Sequence, residues 1–147
     1  MKNEELNKLR EKCNNCMRCE LGKTRINIVF SDGNPNSAKA ILIGEAPGEN
    51  EDKTGTPFVG RAGKLLNEFL EKSGISRTDD LYIINTVKCR PPDNRNPEPE
   101  EKEAVLWRTP LYRHPLLHSF YFYKHTDRRW HADPRALEVS ECTNTSD

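Results

Sequence analysis

The amino-acid sequence predicts an α/β fold built on a parallel sheet. Two short apolar runs, AKAILIG (38–44) and LYIINTV (81–87), have the β-branched composition of buried strands. Between them, residues 64–73 place four large apolar side chains on one helical face: Leu65, Leu66, Phe69 and Leu70. The order strand, helix, strand predicts a right-handed crossover that leaves the two strands parallel.

The remaining segments are predicted around this unit. Residues 4–19 should form a short helix that carries, on one face, Leu6, Leu9, Cys13 and Cys16. The run DGNPNS (32–37) is dense in turn-forming residues and precedes the first strand. A loop rich in Gly, Pro and acidic residues spans 45–63, and Gly74 is a suitable C-cap for the predicted helix 64–73.

Length and charge limit the class of protein. The chain has 147 residues, the length of one ordinary domain. Its 23 Lys and Arg balance 23 Asp and Glu, so any contact with nucleic acid requires a local basic patch. No apolar run reaches the roughly 18 residues of a membrane span, and the charged N-terminus lacks the apolar segment of a signal peptide. We therefore expect a cytoplasmic monomer without membrane contact.

The cysteines suggest a metal site. Three of the five are closely spaced, at Cys13, Cys16 and Cys19. In a reducing compartment this spacing indicates metal ligation more than disulfides. Cys89 follows the second predicted strand, and the crossover could bring it to the early thiols, as discontinuous cluster ligands often are.

The composition changes at Val105. The last 43 residues hold all 4 His, both Trp and 7 of the 11 aromatic residues. Aromatics mixed with Arg and His could form a surface for single-stranded nucleic acid, and SFYFY (119–123) could form a short strand. We favour a lost reading frame or a replaced end over this surface and over an ordinary divergent tail. A division into residues 1–104 and 105–147 is expected, with a poorly ordered tail.

Two loops follow the predicted strands, where ligands of parallel sheets bind. The first, GEAPGENEDKTGTPFVGRAG (44–63), lacks both the G-x-G-x-x-G and the phosphate-loop motifs. Its glycines can bare backbone N–H groups to a planar or anionic ligand, and Phe58 is placed to stack on a base. An acidic surface turn is the alternative.

The second loop, NTVKCRPPDNRNPEPEE (85–101), begins at a strand end. The amide of Asn85 could read the edge of a nucleobase, or Asn85 could simply be a cap or turn residue. Lys88, Arg90 and Arg95 could follow a phosphate backbone, or form a solvated charged loop.

The motifs CMRCELGKTR, VFSDGNPN, GEAPGENEDKTGTPFVGRAGKLL and NTVKCRPPDNRNPEPEE occur in this order between Cys16 and about Ala104. This span resembles the family 4 uracil-DNA glycosylases, the iron–sulfur type. The resemblance implies a three-layer αβα fold, incomplete here after about residue 104, and a 4Fe-4S cluster held by four Cys. Cys16, Cys19 and Cys89 match the first three ligands, whereas Val105 stands where the fourth is expected and Cys13 is an extra thiol.

The resemblance also implies a uracil site. Its backbone part matches Gly44, Glu45 and Ala46, its stacking aromatic matches Phe58, and its recognition amide matches Asn85. Glu45, Glu51 and Asn94 match positions that take part in or assist the reaction. The implied reaction is hydrolysis of the N-glycosidic bond of a deoxyuridine flipped out of DNA, for base excision repair.

The family's late His-Pro-Ser motif has no match, because the segment from Arg113 to Leu116 comes too early and lacks the Ser. The alternative is therefore a catalytically dead fragment that retains only metal or nucleic-acid binding. A related domain with another nucleic-acid role is a third possibility.

Overall fold

The computed structural model describes residues 2–106, 123–126 and 129–132. In these ranges the helices are α1 (Lys2–Asn14), α2 (Leu21–Thr24), α3 (Glu49–Thr54), α4 (Arg61–Lys72) and α5 (Pro99–Leu106). The strands are β1 (Asp32–Gly33), β2 (Ala40–Gly44), β3 (Leu81–Asn85), β4 (Tyr123–Thr126) and β5 (Arg129–Ala132), and a 3-10 turn covers Pro92–Asn94.

The predicted parallel pair is confirmed. β2 and β3 run parallel, in register from Ala40 beside Leu81 to Gly44 beside Asn85. α4 lies between them in the chain, so the unit is the strand, helix, strand crossover that the sequence predicts. The α/β class is therefore correct.

A third strand was not predicted. β1 pairs antiparallel with the other edge of β3, with Asp32 opposite Ile83. The predicted turn is present but begins later, where the Asn34 carbonyl accepts hydrogen bonds from the backbone N–H groups of Ser37 and Ala38. β4 and β5 form a separate antiparallel pair.

The core lies on both faces of β3. On one face, Leu70 of α4 packs with Leu81 and Ile83, and Leu66 adds to this cluster. On the other face, Ile43, Tyr82 and Ile84 form a second buried cluster. Every residue of β3 is buried, as expected of a central strand in a parallel sheet.

The C-terminus of α4 ends as predicted at Gly74. Gly74 has a φ of 66°, and its N–H donates to the Glu71 carbonyl at 3.1 Å. The next N–H, of Ile75, donates to the Leu70 carbonyl at 3.0 Å. This is the Schellman arrangement, in which a left-handed glycine satisfies the last carbonyls of a helix.

The predicted helix 4–19 is too long. α1 ends at Asn14, so Cys16 and Cys19 lie in the following turn. The reason lies in the helix end: the Arg25 guanidinium donates to the Asn14 carbonyl at 2.9 Å and to the Cys16 carbonyl at 2.8 Å. These bonds satisfy carbonyls that a continuing helix would have used itself.

No helix among the described residues is long and apolar enough to cross a membrane. The segment Arg113 to Leu116, most of SFYFY (119–123) and Cys142 lie outside the described residues. The expected disorder of the tail also concerns mainly residues outside them, and it stays a prediction.

Candidate functional site

The two strand ends that bear the candidate loops meet side by side. Gly44 is the register partner of Asn85, and the ladder continues for two residues beyond them. The Thr86 N–H donates to the Gly44 carbonyl at 2.7 Å, and the Val87 N–H donates to the Glu45 carbonyl at 3.1 Å. These bonds fix the backbone of the first loop against the second.

Phe58 and Asn85 both contact the strand end at Gly44. A Cβ placed on Gly44 would lie 2.7 Å from the Phe58 Cζ atom and closer still to the Asn85 Oδ1 atom. Gly44 is thus required by the close approach of an aromatic ring on one side and an amide on the other. The structure brings the predicted stacking residue, recognition amide and backbone segment to one place.

The backbone of Phe58 has an unusual conformation. Its φ is 52°, in the left-handed region that non-glycine residues rarely adopt. Its carbonyl group lies against α4 at Gly63, where an added Cβ would collide with it. The loop therefore passes close over the first turn of α4 before the ring reaches Gly44.

Glu51 holds this loop in place. One carboxylate oxygen accepts hydrogen bonds from the N–H groups of Val59 at 2.9 Å and Gly60 at 2.7 Å. The other oxygen accepts from the Gly48 N–H at 3.1 Å. Because Gly48 and Gly60 precede α3 and α4, a single carboxylate joins the N-termini of two helices, where negative charge is favoured.

Two more acidic side chains of the first loop have different surroundings. Asp52 is buried, and its carboxylate accepts hydrogen bonds from the N–H groups of Ile26 and Asn27. Glu45, next to Gly44, pairs with Lys102 of α5, with 3.2 Å between Oε1 and Nζ. Asp52 thus serves the scaffold, whereas Glu45 lies beside the strand ends.

The predicted basic loop is mostly engaged within the protein. Lys88 is buried, its ammonium donates to the Asn85 carbonyl at 2.7 Å, and burial lowers its pKa to about 8. The Arg95 guanidinium binds both carboxylate oxygens of Glu101, at 2.9 and 2.7 Å. Arg90 Nε donates to Asn94 Oδ1 at 2.7 Å. Lys88 is therefore a core residue of the site rather than a surface charge.

Asn94 lies at the end of the 3-10 turn, apart from the contacts around Gly44. It is exposed, and its φ of 54° follows a similar φ of 55° at Asp93. Two successive left-handed residues give this turn a sharp bend, which the bond from Arg90 stabilises.

The cysteines from the two ends of the crossover approach each other around Arg25. Its guanidinium donates to the Cys16 carbonyl at 2.8 Å and to the Cys89 Sγ atom at 3.3 Å. Burial raises the pKa of the Cys89 thiol, Arg25 opposes this shift, and the nearby thiols of Cys16 and Cys19 add to it. Cys89 also belongs to a buried cluster against which Cys19, Ala46 and Val105 pack.

These residues do not complete a four-thiolate site. Val105 occupies, beside Cys89 and Cys19, the place where the resemblance predicts the fourth ligand. Among the described residues, no group of three or more His, Cys, Asp or Glu is arranged to hold a metal ion. The chain brings thiols together at this point, but an aliphatic side chain closes the set.

Sequence reasoning missed three basic residues that organise the site. Arg25 joins the thiols, Lys102 pairs with Glu45, and Arg77 binds the carbonyl of Phe58. Each lies far along the chain from its partner, so no local spacing distinguishes it from an ordinary surface charge.

Comparison with known proteins agrees with this geometry. A profile of the uracil DNA glycosylase superfamily matches residues 30–132, on both sides of the division predicted near residue 104. The chain is 54% identical over 94 residues to a type-4 uracil-DNA glycosylase of Thermotoga maritima, covering 64% of this chain and 48% of that protein. A type-4 uracil-DNA glycosylase of Archaeoglobus fulgidus is 49% identical over 100 residues, covering 68% and 49%.

A type-5 uracil-DNA glycosylase of Thermus thermophilus is 39% identical over 85 residues, covering 49% of this chain and 38% of that protein. The chain spans about half the length of the type-4 relatives it matches. The superfamily match covers well over half of the chain. The chain therefore belongs to the uracil DNA glycosylase superfamily.

Proposed function

We propose that the chain recognises a uracil flipped out of DNA and hydrolyses its N-glycosidic bond, the activity named for its type-4 relatives. The observation that carries this proposal is the meeting of Phe58, Asn85 and Gly44 at adjacent strand ends. A flipped base must be stacked on its face and read on its edge at the same time. This arrangement offers an aromatic ring and an amide against one glycine.

In the proposed complex the ring of Phe58 stacks on uracil, which contributes on the order of 1–3 kcal/mol. The Asn85 amide reads the base edge with its donor and acceptor. Backbone N–H groups of Glu45 and Ala46 donate to the uracil oxygen, so that they stabilise the negative charge of the departing base.

The bond from C1′ of the sugar to N1 of uracil breaks, and the base leaves with the electron pair. Water adds to the oxocarbenium-like C1′ and loses a proton, while the uracil anion is reprotonated. We assign Glu45 to steady the sugar cation or orient this water, with Lys102 holding its carboxylate in place. Glu51 and Asn94 assist by shaping the two loops, because their side chains bind loop groups.

We further propose that Cys16, Cys19 and Cys89 are the ligand residues of an iron–sulfur site with a structural role. The contacts of Arg25 and the packing of Cys19 against Cys89 support this assignment. Val105 leaves the site one thiolate short, so the chain as it stands should bind iron weakly.

Substitution Val105→Cys tests the ligand assignment. It should raise the iron and sulfide retained per chain after anaerobic reconstitution, because it adds a thiol beside Cys19 and Cys89. Ala104→Cys is the matched control, since it adds a thiol one position away. Equal retention by both variants would contradict the assignment.

The proposed macromolecular partner is DNA that contains uracil, and we propose that the chain works as a cytoplasmic monomer. No disulfide joins the cysteines of the described residues, which is in keeping with a reducing compartment.

Release of uracil from a labelled oligonucleotide tests the proposed function. The unaltered chain should release uracil, and Asn85→Ala and Phe58→Ala should each reduce the rate, since they remove the edge and face contacts. Lys39→Met, which removes an exposed side chain paired with Asp80, is the control. Selective binding of the uracil oligonucleotide without release would identify the catalytically dead alternative, and release indifferent to both site substitutions would refute the site.

A further inference from the structure

We propose that Arg77 is a positioning residue for the ring of Phe58, and that its guanidinium determines how well the site stacks on a base. The proposal rests on the proposed function for its ligand, but its first step concerns the protein alone. Arg77 lies in the connection between α4 and β3, 19 residues from Phe58 in the sequence.

The Arg77 guanidinium is a clamp on the backbone of the loop. Its Nη2 atom donates to the Pro57 carbonyl at 2.6 Å, and its Nη1 atom donates to the Phe58 carbonyl at 3.0 Å. Two adjacent carbonyls are thus held by the two ends of one planar group. The rigid fork of arginine suits this geometry, whereas a lysine ammonium is a single point charge.

The clamp is itself anchored. Arg77 Nε donates to Asp32 Oδ2 of β1 at 2.9 Å, and Nη1 also donates to Asn67 Oδ1 of α4 at 2.8 Å. The Arg77 side chain is 18% exposed, so these contacts are largely shielded from water. Arg77 therefore joins the sheet, α4 and the loop at one point.

The clamp acts where the backbone is under strain. Phe58 has a φ of 52°, which a residue with a large side chain adopts only when its surroundings impose it. Strained residues of this kind cluster at ligand-binding sites. Arg77 binds the two carbonyls that flank this dihedral angle, while the close approach to Gly63 limits the movement of the loop from below.

The strained backbone sets the direction of the Phe58 ring. With this φ the ring lies against Gly44 and next to the Asn85 amide. Release of the clamp should let Phe58 relax toward an ordinary φ, and the ring should then leave Gly44. Arg77 thus acts on a bound base through Phe58, without touching the base.

The first experiment follows the ring without any ligand. In the labelled full chain, the ring current of Phe58 should displace the backbone resonances of Gly44, and Phe58→Ala should abolish this displacement. Arg77→Lys should also abolish most of it, although the lysine can keep the ion pair with Asp32. Lys39→Met is the control, because it removes an ion pair with Asp80 near the same connection. A Gly44 displacement that survives in Arg77→Lys would overturn the proposal.

The second experiment is a double-mutant cycle in affinity. The probe is an oligonucleotide with 2′-fluoro-2′-deoxyuridine, whose electronegative substituent disfavours bond cleavage, compared with the same oligonucleotide containing thymidine. Phe58→Ala should weaken the preference for uracil about 5- to 150-fold, the equivalent of about 1–3 kcal/mol of stacking. Arg77→Met should lose most of the same factor, and the double variant should be no weaker than Phe58→Ala alone.

Losses that multiply in the double variant would mean that Arg77 acts independently of Phe58, and would overturn the proposal. If Arg77→Met does not fold, Arg77→Lys takes its place in the cycle. An unaltered chain that binds both oligonucleotides equally would refute the proposed function instead. The ligand-free measurement at Gly44 would then decide the proposal about Arg77 on its own.

Discussion

Substitution Glu51→Gln should destabilise the fold strongly, because the Glu51 carboxylate joins two helix N-termini to the loop of Phe58. In the native structure it accepts three backbone N–H groups, at 2.7, 2.9 and 3.1 Å. A hydrogen bond to a charged group contributes about 1.5–3 kcal/mol, against about 0.5–1.5 kcal/mol for a neutral pair. Glutamine keeps one oxygen for Val59 and Gly60, but its NH2 group then faces the Gly48 N–H, donor against donor.

From these values we expect the free energy of unfolding to fall by about 2–4 kcal/mol. That is a large fraction of the 5–15 kcal/mol typical of a domain. The melting temperature should fall by roughly 6–16 °C for a folded unit of this size. Urea denaturation followed by circular dichroism measures the free energy, and calorimetry measures the melting temperature.

Glu49→Gln is the matched control, since Glu49 lies on the same short helix and is exposed, pairing with Lys53 and at 4.0 Å with Arg90. Burial is minimal there, so its removal should leave the midpoint nearly unchanged. Loss of uracil release in Glu51→Gln with an unchanged midpoint would refute the structural role and identify Glu51 as a group that acts on the substrate.

Two further predictions concern α4 and α5. Gly63→Ala should raise helix propensity by about 1 kcal/mol yet lower the unfolding midpoint and the affinity for a uracil oligonucleotide, because the new Cβ collides with the Phe58 carbonyl; higher stability with unchanged affinity would contradict this. The pairing with Arg95 lowers the pKa of Glu101 from 4.5, so this pair should stabilise the fold above about pH 4.5 and lose its effect as the pH falls through the lower folded pKa. Glu101→Gln should flatten the acid limb of the curve of stability against pH, and an unaltered limb would exclude the pair as its cause.

The crossover unit could be predicted because its signals are local. β-branched apolar runs predict β2 and β3, and the spacing of Leu66 and Leu70 predicts α4. Parallel pairing then brings Gly44 beside Asn85, so the meeting of the two loops follows from topology alone. Those features of the candidate site were accessible from the sequence.

The features that escaped prediction depend on distant partners. The two-residue strand β1 exists because β3 offers it an edge, and no pattern of two residues can indicate that. α1 was predicted too long because Arg25 satisfies its last carbonyls from outside the helix. The left-handed Phe58 and its clamp by Arg77 are likewise set by tertiary contacts rather than by neighbouring residues.

The central claim is that one base lies between the Phe58 ring and the Asn85 amide at Gly44. A nuclear magnetic resonance titration of the labelled chain with the 2′-fluoro-2′-deoxyuridine oligonucleotide tests it most directly. The account predicts that the Gly44 backbone, the Phe58 ring and the Asn85 side-chain amide shift together with uracil, and do not shift with thymidine in its place. Shifts that leave these three groups unmoved, or that are equal for the two oligonucleotides, would contradict it.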